Sequence, residues 1–183
     1  MKKLNKTIKK IGLCSLFLLI TMSMSFPANA TPFAGGDGTA GNPYQISTIE
    51  QLQNLSSDLA ANYKLINDID ASGTINWNSG AGFEPIGNAL NKFAGTFNGQ
   101  GYEIKGLYIN RSIEDFVGLF GFTLSSSKIN NVGLVDVNMT GVYKVGGLVG
   151  YSSGTITQSY STGNVNGEGF TGGLVGYSSG KIN

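Results

Sequence analysis

The nine residues GGLVGYSSG stand at Gly146–Gly154 and again, letter for letter, at Gly172–Gly180, a spacing of 26 residues. A looser copy, VGLFGFTLS, starts at Val117. Anchoring each copy on one isoleucine (Ile104, Ile129, Ile156, Ile182) gives spacings of 25, 27 and 26. A sustained period in this range marks an architecture of stacked repeats. No helical periodicity fits inside a copy. Each holds a short apolar pair (Leu119-Phe120, Leu148-Val149, Leu174-Val175), a glycine turn, an isolated isoleucine and a further β-rich stretch. Short strands joined by tight turns describe one rung of a β-helix, about 26 residues round at roughly 3.3 Å each. The expected fold class is therefore all-β, a right-handed parallel β-helix. Its GLVG glycines are expected to turn corners at positive φ, and Leu148 and Leu174 to point inward and stack.

Composition bounds what such a coil can do. The first thirty residues pair a basic start (Lys2, Lys3, Lys6, Lys9, Lys10) with an apolar run from about Ile11 to Met24, then Ala28-Asn29-Ala30. They read as a secretory signal cleaved after Ala30, too short and polar-dotted to serve as a membrane anchor. Five of the 12 Lys and Arg lie there, leaving seven against all 11 Asp and Glu, a net −4 for the mature chain. That balance gives no footprint for nucleic acid or an anionic membrane. Cys14 is the single cysteine and histidine is absent. An exported chain without disulfides has to rely on backbone pairing and a continuous core. The lack of His removes the commonest general base and metal ligand, so no cofactor or metal is expected.

Three regions follow: the signal over 1–30, a lead-in and cap over 31–92, and repeats over 93–183. Thr31–Asn42 reads as an exposed lead-in. STIEQLQNLSSDLAAN carries a capping-box spacing at Ser47 and Glu50 and apolar residues at Ile49, Leu52, Leu55 and Leu59. It predicts a helix over about 47–61, placed to cap the first rung, whose unpaired edge would otherwise be open to other chains.

The GLVG at Gly147–Gly150 and Gly173–Gly176, with GLFG at Gly118–Gly121, resembles the GLUG motif of bacterial surface proteins. The stretch from GNPYQISTIEQLQNL through FAGTFNGQGYEIKGLYI is similar to the lead-in that precedes such repeats. This resemblance implies an adhesin-like, secreted or surface-displayed repeat protein. It brings no catalytic residues with it. The chain stops at GKIN, partway round a rung, so the repeats are expected to continue into further repeats or domains.

Two groups of residues are candidates for a site. Tyr151 and Tyr177 occupy the same place in successive copies and should stack about 4.8 Å apart. Facing out with Ser152 and Ser178, they would make an aromatic–hydroxyl strip able to hold a glycan or a host or cell-surface protein. The alternative, packing along the turn to stabilise the coil, stays open. Asp68 and Asp70, at i and i+2, would face one side of a strand. They are the candidate acids of the competing reading, a carbohydrate-active β-helix enzyme or its accessory domain. Glu114-Asp115 reads as a solvated loop with Arg111 near enough to neutralise one carboxylate.

Overall fold

The structure, a computed structural model, describes residues 33–183. The expected signal over 1–30 and its cleavage site lie outside the described residues. The regular structure of the described residues is mostly short strands, with a 3₁₀ segment over Ser72–Gly80. The chain first lays down β1 (Tyr44–Ile46), the helix α1 (Ile49–Gln53), β2 (Asn62–Leu65) and β3 (Ile69–Asp70). Next come β4 (Thr96–Asn98), β5 (Glu103–Lys105), β6 (Tyr108–Asn110) and β7 (Phe120–Thr123). A third circuit holds β8 (Lys128–Asn130), β9 (Gly133–Thr140), β10 (Tyr143–Gly146) and β11 (Val149–Ser152). The fourth holds β12 (Thr155–Thr157), β13 (Tyr160–Asn166), β14 (Gly169–Gly172) and β15 (Val175–Ser178), before β16 (Lys181–Ile182).

Each strand pairs in parallel with its counterpart one circuit later. One sheet runs β1-β2-β4-β8-β12-β16, a second β3-β5-β9-β13 with β6 also on β9, a third β10-β14, and a fourth β7-β11-β15. The two verbatim phrases lie in register: Val149 opposite Val175, Tyr151 opposite Tyr177, Ile156 opposite Ile182. Inside the first sheet Tyr63, Phe97, Ile129, Ile156 and Ile182 stand in one column. Leu119 and Leu148 are fully buried and Leu174 packs against the same core, as the inward stacking predicts. The early circuits are filled by aromatic rings in mutual contact: Phe33 on Tyr44 (4.5 Å between centroids), Phe93 on Phe120 (4.7 Å), Phe97 on Phe120 (5.4 Å). The stack begins at Tyr44, so strands on both sides of position 92 belong to one sheet.

The structure corrects four expectations. Ile104 is not the counterpart of Ile129; it pairs with Ile69 and Leu134 in the second sheet, and Phe97 takes the Ile129 column. The cause is longer corners in the earlier circuit. Thr123 to Lys128 does the work of Ser152 to Thr155, and Asn98 to Glu103 that of Asn130 to Gly133. Insertions settle in turns, where no ladder bond is lost.

The helix is shorter than 47–61: α1 ends at Gln53 and a 3₁₀ turn continues over Asn54–Ser57. Tightening to three residues per turn brings Leu52 and Leu55 onto one face, and both are buried. Asp58 is extended, and its carboxylate accepts from Ala60 N–H, a local bond that competes with continued helix. The cap lies one residue on from Ser47. Thr48 Oγ1 accepts from Gln51 N–H, while Gln51 Oε1 accepts from Ser47 N–H at 2.8 Å.

The lead-in is not simply exposed. Phe33 is buried, and Gly35 forms an antiparallel bridge to Gln45, covering part of the β1 edge. Finally, the GLVG glycines do not sit at positive φ. All but Gly173 are held by close approach to neighbouring atoms. A Cβ on Gly176 would stand 2.5 Å from Lys144 C and from Val145 N, and 2.8 Å from Gly150 O. Here the backbones of the β10–β14 and β11–β15 sheets touch, with no room for a side chain between them.

Candidate functional site

The strands β7, β11 and β15 place the residue after GLFG or GLVG at the same height in three circuits. Phe122 stacks on Tyr151 at 4.3 Å and 20°, and Tyr151 on Tyr177 at 5.0 Å and 29°. The strand spacing dictates this ladder, because in-register parallel strands superpose equal positions. A second column flanks it. Phe116, Lys144 and Phe170 each precede the equivalent residues Val117, Val145 and Thr171. All three are left-handed, at φ 61, 58 and 49. Non-glycine residues rarely adopt that conformation, and its recurrence shows that the circuit imposes it. The bend turns these side chains toward the ladder. Phe116 meets Phe122 at 5.3 Å, and Phe170 meets Tyr177 edge-on at 5.4 Å. Lys144 Nζ lies 4.7 Å from the Phe116 ring centre and 5.4 Å from that of Tyr151, and Lys92 Nζ lies 4.8 Å from that of Phe122. Each such contact adds about 0.5–1 kcal/mol at an exposed site.

Tyr151 is half-buried and Tyr177 is exposed. Ser152 does not join them. It is fully buried, with its hydroxyl 3.5 Å from that of Thr123, so it belongs to an internal hydroxyl column rather than to a surface strip. Ser178 continues that column, is exposed, and its Oγ accepts from Gly180 N–H. The strip is thus aromatic and cationic rather than aromatic and hydroxylic. Sequence reasoning missed Phe122, Phe116, Lys144, Phe170 and Lys92. Phe122 was open to discovery, since it follows GLFG as the tyrosines follow GLVG. The left-handed column carries no residue-type signature.

Asp68 and Asp70 are both exposed and close in the chain, yet each is already engaged. Asp68 accepts from Glu103 N–H at 2.9 Å and pairs with Lys105 at 3.0 Å, and these hold its carboxyl below the usual range. Bonds from the Ser72 hydroxyl and N–H lower Asp70 likewise. Lys105 also pairs with Glu103 at 2.9 Å, and Glu103 accepts from the Tyr160 hydroxyl at 2.5 Å. Tyr160 first, then Lys105, lowers the Glu103 carboxyl. General acid catalysis at neutral pH needs a carboxyl shifted the other way. The Glu114–Arg111 pair forms at 2.9 Å. Among the described residues no group of three or more His, Cys, Asp or Glu could hold a metal ion, and no helix is long and apolar enough to cross a membrane.

The family model "The GLUG motif" matches residues 141–166, a window that runs through the first GGLVGYSSG. "Halomucin" of Haloquadratum walsbyi is 42% identical over 138 residues, 72% of this chain and 2% of that protein. "Putative Gly-rich membrane protein" of Evansella cellulosilytica is 36% identical over 150 residues, 79% of this chain and 17% of that protein. The chain therefore spans only a small part of either relative. A solved structure described as a putative immunoglobulin A1 protease from Bacteroides ovatus aligns with TM-score 0.46 and 17% identity, covering 83% of this chain and 65% of that one. The first copy of the repeated phrase and the middle ring of the ladder, Tyr151, both lie inside the window that the family matches, and residues 141–166 are a GLUG motif.

Proposed function

We propose that the chain is a non-enzymatic repeat module of an exported or surface-displayed protein, acting as an adhesin-like binding surface or stalk. The observation that carries this reading is the aromatic–cationic ladder Phe122–Tyr151–Tyr177 with Lys92 and Lys144 against its rings. Rings with one apolar body and a polar edge suit the face of a sugar or a protein partner. The names of the two relatives support export to the surface, and the paired state of Asp68 and Asp70 supports a non-enzymatic role. The coil is taken as right-handed, the hand of nearly all parallel strand–connection–strand units. The signal over 1–30, the lead-in and cap over 31–92 and the repeats over 93–183 complete the proposal.

The test is glycan-array and cell-surface-protein binding by the parent protein and by Tyr151→Ala/Tyr177→Ala. Binding that falls about tenfold in the variant, with its β-sheet circular dichroism retained, is the expected result. Equal binding by both removes the ladder from the role. Polysaccharide cleavage by the parent that vanishes in Asp68→Asn/Asp70→Asn would establish the carbohydrate-active enzyme instead.

A further inference from the structure

The six-stranded sheet has an outer face unlike the rest of the molecule. Its buried column runs through Tyr63, Phe97, Ile129 and Ile156, so the residues flanking these point away from the core. On β2, β4, β8 and β12 these are Asn62 and Lys64, Thr96 and Asn98, Lys128 and Asn130, Thr155 and Thr157. Lys181 follows on β16, opposite Thr155. The face holds three lysines, otherwise only carboxamides and hydroxyls, and not one carboxylate. Residues 31–183 carry a net charge of −4, so this separation is against the average. The acids lie elsewhere, with Asp68, Asp70 and Glu103 on the second sheet.

The register fixes the spacing. Lys128 and Lys181 share one column two strands apart, about 10 Å, and Lys64 lies two strands from Lys128 and two residues along, about 12 Å. Neither Lys64 nor Lys128 makes an ion pair among the described residues. Between them the surface is concave. A groove of about 330 Å³ is walled on one side by Ala40 and Pro43 of the lead-in and floored by Asn62, Thr96, Asn98 and Gln100.

We propose that this face binds an anionic polysaccharide, one that carries carboxylate or sulfate groups at intervals of one or two sugars. The lysines would meet the charges, and the carboxamides and hydroxyls between them would meet the sugar hydroxyls as both donors and acceptors. A neutral glycan would leave the cations unanswered. A nucleic acid would want a denser basic surface and stacking rings, which this face lacks. The inference extends the binding role proposed above to a second face and does not depend on the aromatic ladder.

The experiment is calorimetric titration of the protein with polygalacturonate, dextran sulfate, neutral dextran and single-stranded DNA. Binding to polygalacturonate or dextran sulfate, weakened by added salt as exposed charge pairs must be, is expected, with none to neutral dextran. Comparison of the first two tells which anion is read. Lys64→Gln/Lys128→Gln should weaken binding about tenfold, roughly 1.4 kcal/mol. Lys64→Arg/Lys128→Arg should keep it, and so should Lys105→Gln, which alters charge on a different sheet. Should the glutamine variant fail to fold, the parent supplies the readout. The side-chain amide NMR signals of Asn62 and Asn98 shift on titration if the groove is the site. Absence of binding, unshifted amides, an unaffected glutamine variant, or single-stranded DNA bound as tightly as the glycan would each overturn the proposal. The Tyr151→Ala/Tyr177→Ala variant retains this binding even if the ladder has no role, so the two proposals fail separately.

Discussion

A methyl group on Gly150 would stand 2.6 Å from Phe116 C and 2.7 Å from Lys144 O, both backbone atoms that cannot rotate aside. Gly173, in the second copy of the same phrase, has open space around it and no positive φ. Gly150→Ala should therefore destabilise the protein by about 1–3 kcal/mol, the cost of overpacking. Gly173→Ala should be neutral or stabilising by up to about 1 kcal/mol through the unfolded chain. Urea unfolding of the two variants checks this; similar midpoints would show that the glycines serve turns rather than contact. At this scale the sequence shows which positions repeat as glycine but not why. A repeated glycine is compatible with a bend and with backbone contact alike, and the choice depends on a neighbour some 30 residues away.

Among the elements, the second sheet carries the clearest electrostatic structure. Tyr160 reaches Glu103 from two strands away because Gly133 lies between them on β9; a Cβ on Gly133 would stand 2.8 Å from the Tyr160 hydroxyl. Glu103, Asp68 and Asp70 all titrate below the ordinary carboxylate range. Since their folded values lie below the unfolded ones, their stabilisation is complete above the unfolded range and is lost as pH falls through the folded values. The thermal midpoint should hold steady from about pH 5 to 8 and drop below about pH 4. Tyr160→Phe should raise the Glu103 pKa, followed by carboxyl NMR, lower stability at neutral pH, and make the acid-side drop shallower. An unchanged Glu103 titration would remove the tyrosine from the network. None of this is legible in the sequence, because Glu103 and Tyr160 share no local pattern. The helix is legible in place and face, through Leu52 and Leu55, but not in length. Ser57 and Asp58 end it by local bonds that a 3.6-residue period does not register.

For the whole molecule, the period is the legible quantity. The verbatim phrases alone are enough to place Tyr151 over Tyr177 and Ile156 over Ile182. The period fails at Ile104, where Phe97 carries the column instead, since any large apolar residue fills the core and corner insertions change the count unseen. The exact repeat allows a direct test. Deleting residues 150–175 joins Val149 to Gly176 and restores one complete GGLVGYSSG, one circuit shorter. That protein should fold with the same β-rich circular dichroism and a lower melting temperature. Deleting 150–174 instead leaves one extra residue, shifts the following side chains to the opposite face, and should fold far less well. Equal stability of the two deletions would mean that register does not hold the stack.

The Tyr160–Glu103 bond has a bearing on how the coil comes apart. A stack coupled only between neighbours frays from its ends, and its amides exchange with solvent in a graded series. Here β13 is fastened to β5 across the intervening β9. The three strands cannot be released one at a time without first breaking that fastening. Their amides should accordingly exchange in a single event, and in Tyr160→Phe the event should split, with β13 exchanging before β5.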